Sequence, residues 1–136
     1  MTFAGHEEAW REWRDALAGA RMHHGWILAG RKGLGKAGFA LAAARELVTE
    51  PGIPQPPGNH PDIIVLTHLP ASADEETKKA EGKPYQVKRS IGIAQIREMQ
   101  QRLITRPTLG SRRAIVIDPA DDLEKPAANA LLKSLE

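Results

Sequence analysis

Eight consecutive residues, Gly30-Arg31-Lys32-Gly33-Leu34-Gly35-Lys36-Ala37, fit the phosphate-cradling pattern G-x-x-x-x-G-K-[ST] at every position but the last. In such a loop the backbone N–H groups freed by Gly30, Gly33 and Gly35 curl around phosphates and the lysine, here Lys36, reaches the β- and γ-phosphates. The final hydroxyl ligates Mg²⁺, and Ala37 has no oxygen to offer. A hydrogen bond to a charged group is worth about 1.5–3 kcal/mol, and the metal it helps to fix neutralises charge during phosphoryl transfer. A second chemical feature is Ile115-Val116-Ile117-Asp118, an apolar run closed by an acid, the pattern (Walker B) whose carboxylate serves Mg²⁺ in phosphate-loop proteins. Pro119 follows it and brings no acid-base group. A missing general base forfeits about 10²–10⁴-fold in rate. Asp121 and Asp122 are displaced along the turn and are expected to cap the next helix instead.

These residues need a strand and a helix on each side of the loop. His24 to Ala29 is a short apolar run that predicts a strand leading into Gly30, and Lys36 to Val48, rich in Ala and Leu, predicts the helix after it. Trp10, Trp13 and Leu17 recur at helical spacing and predict an amphipathic helix over Glu7 to Ala18 stopped by Gly19, with the tryptophans as packing residues. Pro51 to Pro61 holds five prolines and two glycines and predicts an irregular connection. Asp62 to Leu66 predicts a buried strand, and Thr67 to Arg89 a polar, exposed and mobile insert. Ile93 to Thr105 predicts an amphipathic helix ended by Pro107, Arg113 to Asp118 a strand, and Leu123, Ala127, Ala130, Leu131 and Leu135 a last helix with one apolar stripe. His23 and His24 suggest a metal, but no third ligand stands at metal-site spacing.

With 136 residues, 41% apolar and 26% charged, the composition is that of one globular domain. The net charge of +2 permits contact with nucleic acid without requiring it. The chain has no cysteine, which excludes disulfides and thiolate zinc sites. Neither a signal peptide nor a membrane-spanning apolar stretch is expected.

Taken together, these residues resemble the δ′ subunits of the bacterial DNA polymerase III clamp loader, a branch of the AAA+ group. The resemblance rests on His23-His24-Gly25-Trp26-Ile27-Leu28-Ala29-Gly30, on His60-Pro61-Asp62, and on Ile91-Gly92-Ile93 with Ile96-Arg97. Most specific are Ile117-Asp118-Pro119-Ala120-Asp121 and Ala127-Ala128-Asn129-Ala130-Leu131-Leu132-Lys133-Ser134-Leu135-Glu136. It spans almost the whole chain except the insert at 67–89. It implies an α/β fold, a three-layer P-loop NTPase module of AAA+ type with a parallel sheet and helices on both faces, incomplete at the C-terminus. Residues 1–136 would be a truncated nucleotide-binding-like module, with the later strands, lid and collar domains, and a Ser-Arg-Cys motif, beyond Glu136.

In function, the resemblance implies a non-hydrolysing stator that helps to load the sliding clamp onto primed DNA, in a bacterial, cytoplasmic and nucleoid-associated replisome. Its hydrolysing relatives keep the hydroxyl and an Asp-Glu pair, so Ala37 and Pro119 favour δ′ over the τ/γ motors. Expected partners are τ/γ and δ, with clamp and DNA reached through the assembly, and no membrane. No cofactor is required: Gly30 to Lys36 would retain at most weak affinity for ATP or phosphate. Zinc is not predicted, because Glu50 to Asn59 lacks the four cysteines that clamp-loader relatives commonly carry there. Without its neighbouring strand, the Ile27 run would pair with the Val116 strand or self-associate through its exposed edge. The alternatives are an active τ/γ-type ATPase, a small-molecule kinase with 67–89 as its lid, and a bare DNA-binding module.

Overall fold

The computed structural model describes residues 6–19, 25–28 and 35–135. The chain divides into two compact units, Met1–Ile64 with Arg106–Val116, and Val65–Thr105 with Ile117–Glu136. In chain order the elements are α1 (Glu7–Ala18), α2 (Lys36–Val48), β1 (Ile63–Leu66), α3 (Ala73–Ala80), α4 (Ile93–Ile104), β2 (Ala114–Ile117), a 3-10 turn (Ala120–Asp122) and α5 (Lys125–Leu135). β1 and β2 pair as a two-stranded sheet, the one sheet among the described residues. The Ala114 N–H donates to the Asp62 carbonyl (2.9 Å) and the Asp118 N–H to the Leu66 carbonyl (3.0 Å), both partners advancing together, so the pair is parallel.

In the first unit, α1 carries Glu7 and Glu8 in its first turn, where the helix dipole favours acids. It closes at Gly19, whose N–H reaches the carbonyls of Asp15 and Ala16. Trp10 and Trp13, three residues apart, bury one face of the helix against Phe39 and Ala43 of α2. The Trp10 and Phe39 rings lie 4.4 Å apart between centroids. Outside this cluster, the Arg14 guanidinium covers the Trp10 ring at 4.8 Å and pairs with Glu46 at 3.2 Å. α2's other buried face, Ala44 and Val48, packs on Ala114 with Ile63 and Val116. Small alanines let the helix lie close to the strands. At its C-terminal end Arg45 donates to the carbonyls of Pro56 and Gly58, pinning the proline-rich connection.

Asp62 governs how the strands of this unit meet. It is fully buried. Its Oδ1 accepts the Thr108 N–H, and its Oδ2 accepts those of Leu109 (2.8 Å) and Gly110 (3.4 Å). Burial by itself pushes this carboxyl upward, but the three amides outweigh it and hold the group below its ordinary value. The Asp62 N–H donates to His60 Nδ1 (3.0 Å), and His60 Nε2 lies 2.9 Å from Gln55 Oε1. One residue further along the same loop, Ser111 gives its N–H (2.8 Å) and its hydroxyl to Glu50, holding that carboxyl below its usual range as well. A Cβ at Gly110 would come within 3.1 Å of Glu50, so glycine leaves that carboxylate room to approach.

In the second unit, Ile91, Ile96, Met99 and Ala127 are buried, and α4 packs on α5. Gln100 Nε2 donates to the Ala130 carbonyl (3.1 Å) and the Ser134 hydroxyl (2.8 Å). α4 stops at Thr105, just before Arg106-Pro107. α5 accepts Pro126 in its first turn, where the missing N–H costs nothing.

Several expectations change. Gly25–Leu28 form no strand, and Ile27 is 93% exposed rather than paired with the Val116 strand, which pairs with β1. An apolar run becomes a strand only where another edge accepts its amides. β1 is half-buried rather than buried: Ile64 and Leu66 face inward while Val65 is 48% exposed. The insert is exposed as its composition predicts, yet it contains α3, started by the Ser72 hydroxyl accepting the Glu75 N–H. No helix among the described residues is long and apolar enough to cross a membrane.

Asp62→Ala is expected to lower the unfolding free energy by about 3 kcal/mol, since it strands amides that lose a charged acceptor; urea unfolding measures it. A depressed folded pKa contributes stability that is complete above the unfolded value near ~3.9 and is lost as pH falls through the folded value. The native chain should therefore lose stability below about pH 4 more steeply than Asp62→Asn.

Candidate functional site

The loop residues Gly30, Arg31, Lys32, Gly33 and Leu34 lie outside the described residues, as do His23 and His24. The described part of the motif is its junction with α2. Gly35 takes φ 81°, ψ 27°, the left-handed region that disfavours any side chain, and its carbonyl accepts the Phe39 N–H (2.9 Å) to open the helix. Lys36 and Ala37 are the first two helical residues and are half-buried. The first turn holds no acid. A lysine and no carboxylate at the positive end of a helix is an arrangement suited to an anion, which would gain from both. The side chain of Ala37 ends in a methyl group there, so the turn can supply amides and a cation but no metal-binding oxygen.

In the second unit, Asp118 follows β2 directly and is exposed, and the Asp118–Pro119 peptide bond is cis. Pro119 stands between Asp118 and the 3-10 turn. Neither acid of that turn caps α5 as expected. Asp122 Oδ2 instead lies 2.8 Å from His68 Nε2, and Asp121 is exposed. Asp122's carboxylate is thus committed to an imidazole beside the end of β1. Among the described residues no group of three His, Cys, Asp or Glu is placed to hold a metal ion.

Four residues support this turn, of which only Ile91 belongs to a motif singled out in the sequence. Gln95, buried on α4, donates to the Thr67 carbonyl (2.8 Å), and His68 follows it to Asp122. The Ser90 hydroxyl donates to Glu124 (2.7 Å). Ile91, with no exposed surface, donates its N–H to the Asp122 carbonyl (2.8 Å) and accepts the Glu124 N–H (3.0 Å). Each contact spans at least 28 residues of sequence, beyond the reach of any periodicity.

Gly35→Ala should cost about 1–2 kcal/mol, the price of an L side chain in the left-handed region. Thermal unfolding measures it, and Gly35→Asn should recover part of the loss because asparagine tolerates that conformation.

The model of the family described as DNA polymerase III, delta subunit, matches residues 5–136. The chain is 28% identical to the DNA polymerase III subunit delta′ of Pseudomonas aeruginosa over 91% of its own length and 38% of that protein. It is 34% identical to the subunit delta′ of Yersinia pestis over 58% of its length and 18% of the relative's. It is also 28% identical to the subunit gamma of Buchnera aphidicola from Schizaphis graminum, over 85% of its length and 30% of the relative's. The chain thus spans well under half the length of these curated relatives. No solved structure matches it significantly. With nearly all of its residues inside the family model, the chain belongs to the DNA polymerase III, delta subunit, family.

Proposed function

We propose that the chain is the nucleotide-binding-like module of a stator subunit of the bacterial clamp loader, contributing to clamp loading on primed DNA by assembly rather than by ATP hydrolysis. Family membership and the δ′ relatives support the clamp-loader part. The observation that carries the non-hydrolysing part is the turn after β2: Pro119 occupies the position next to Asp118, and the carboxylate of Asp122 is engaged by His68. Ala37, without a hydroxyl at the start of α2, agrees with it. On this reading Gly30 to Lys36 keep the shape of a phosphate loop with at most weak affinity for ATP or phosphate, no cofactor is required, and no zinc is held. The complete three-layer P-loop sheet belongs to the same proposal, as does a cytoplasmic place in the replisome.

Similarity to a gamma subunit favours a second reading, an active ATPase of the motor type. That reading asks Asp118 to work without an adjacent carboxylate and the metal to be held without the hydroxyl, two losses that mass action on nucleotide does not repair. The stator reading needs neither.

The proposed partners are the τ/γ and δ subunits. Pull-down of the full-length protein with purified τ/γ and δ should recover one stoichiometric assembly; failure to enter it sinks the assignment. The 136-residue chain alone, with Ile27 at 93% exposure, should elute larger than a monomer in size-exclusion chromatography, and a clean monomer would remove self-association from the account.

A further inference from the structure

Neither the proposed function nor the phosphate loop uses the excursion from Leu69 to Arg89, yet it is built rather than slack. The Ala71 N–H donates to the Gln86 carbonyl (2.9 Å) and the Lys88 N–H to the Leu69 carbonyl (2.8 Å), closing an antiparallel bridge between Pro70 and Val87. α3 is fastened to the returning segment: Glu75 accepts the Gln86 N–H (2.7 Å) and the Lys78 ammonium (3.1 Å). The Lys83 N–H caps the helix end on the Lys78 carbonyl (2.9 Å). Both feet of the excursion stand on the turn after β2, through His68 with Asp122 and Ser90 with Glu124.

This frame holds out one sign of charge along its return path. Residues 81–89 are all exposed. Its acids are mostly spent: Glu75 as above, Glu81 on Lys83 (2.7 Å), and Asp74 and Glu76 in the first turn of α3, where the helix dipole suits them. Lys88 and Arg89 have no ion pair among the described residues. Lys79 lies 5.8 Å from the centroid of the Tyr85 ring, which is 39% exposed. An exposed aromatic ring with one cation beside it from α3 and two more further along the return segment matches the two demands of a single-stranded nucleic acid, a base to stack and a phosphate chain to neutralise. An acidic peptide would use the cations and leave the ring without a role.

We propose that Lys79, Tyr85, Lys88 and Arg89 form a docking surface for single-stranded nucleic acid. The surface stands apart from the stator reading, so its test and the subunit pull-down fail independently.

The test is fluorescence anisotropy of a labelled oligo-dT with the full-length protein across a salt series. Three neutralised phosphates predict a slope of log affinity on log salt of about −2 from this surface. K79A/K88A/R89A should weaken binding at least about 10-fold and flatten the slope by about 2. Y85A should weaken it by about 5-fold or more with the slope unchanged, because stacking releases no counterions. The charge-preserving K79R/K88R/R89K variant should bind as the native protein does, separating lost charge from lost fold. Native protein that does not bind oligo-dT at about 50 mM salt, where phosphate contacts are strong, overturns the proposal, as do variants indistinguishable from it. Equal affinity for polyglutamate of matched length overturns the nucleic-acid assignment.

Discussion

A carboxylate sealed from solvent has to be satisfied completely, and Asp62 is the place where this fold meets that demand. A charged group inside protein is tolerated only when hydrogen bonds replace the water it has lost. Three consecutive amides, Thr108 to Gly110, supply them, so the loop before β2 has one position to adopt. The same residue's carbonyl takes the first β2 amide at Ala114. Side chain and main chain of one aspartate therefore fix both where the loop lies and in which register the strand begins. His60 and Glu50 extend the clamp to Gln55 and Ser111. α2 then packs Ala44 and Val48 onto the strand so placed.

The second unit shows a related economy at the turn after β2. Asp122, Leu123 and Glu124 receive a histidine, a buried isoleucine's backbone and a serine hydroxyl from the two ends of the 69–89 excursion. Two acids here, Asp122 and Glu124, already hold up another segment. The same contacts make the excursion a supported structure with a defined surface. Its helix α3 could have been suspected from Ser72 followed by Glu75, a helix-start pattern, had the charge of the segment not dominated its reading.

What was legible in the sequence was what local physics decides. Helices α1, α2 and α4 follow from apolar spacing, from Gly19 as a stop and from Pro107 as a breaker, and their bounds agree with the periodicity to within a residue. Strand positions at Ile63–Leu66 and Ala114–Ile117 were legible as short apolar runs. Gly25–Leu28, also a short apolar run, forms no strand, because pairing is decided by a distant edge and not by the run itself. The partners of Asp62 lie 46 to 48 residues away, and those of His68 and Asp122 lie 54 apart, so nothing in either neighbourhood announces them. Of the candidate site, the identities of Ala37 and Pro119 were plain from spacing; the commitment of Asp122 was visible only in the folded chain.

On the proposed reading, Ala37 and Pro119 leave a phosphate-binding motif without its chemistry. One lacks the metal's oxygen and the other the base, and together they remove contributions that a phosphoryl-transfer site needs at once rather than in part. The most direct measurement is Mg²⁺-dependent ATP turnover by the full-length protein and its Lys36→Ala variant. Both are expected to release phosphate at the rate of buffer alone. Turnover above that rate in the native protein, abolished by Lys36→Ala, would contradict it.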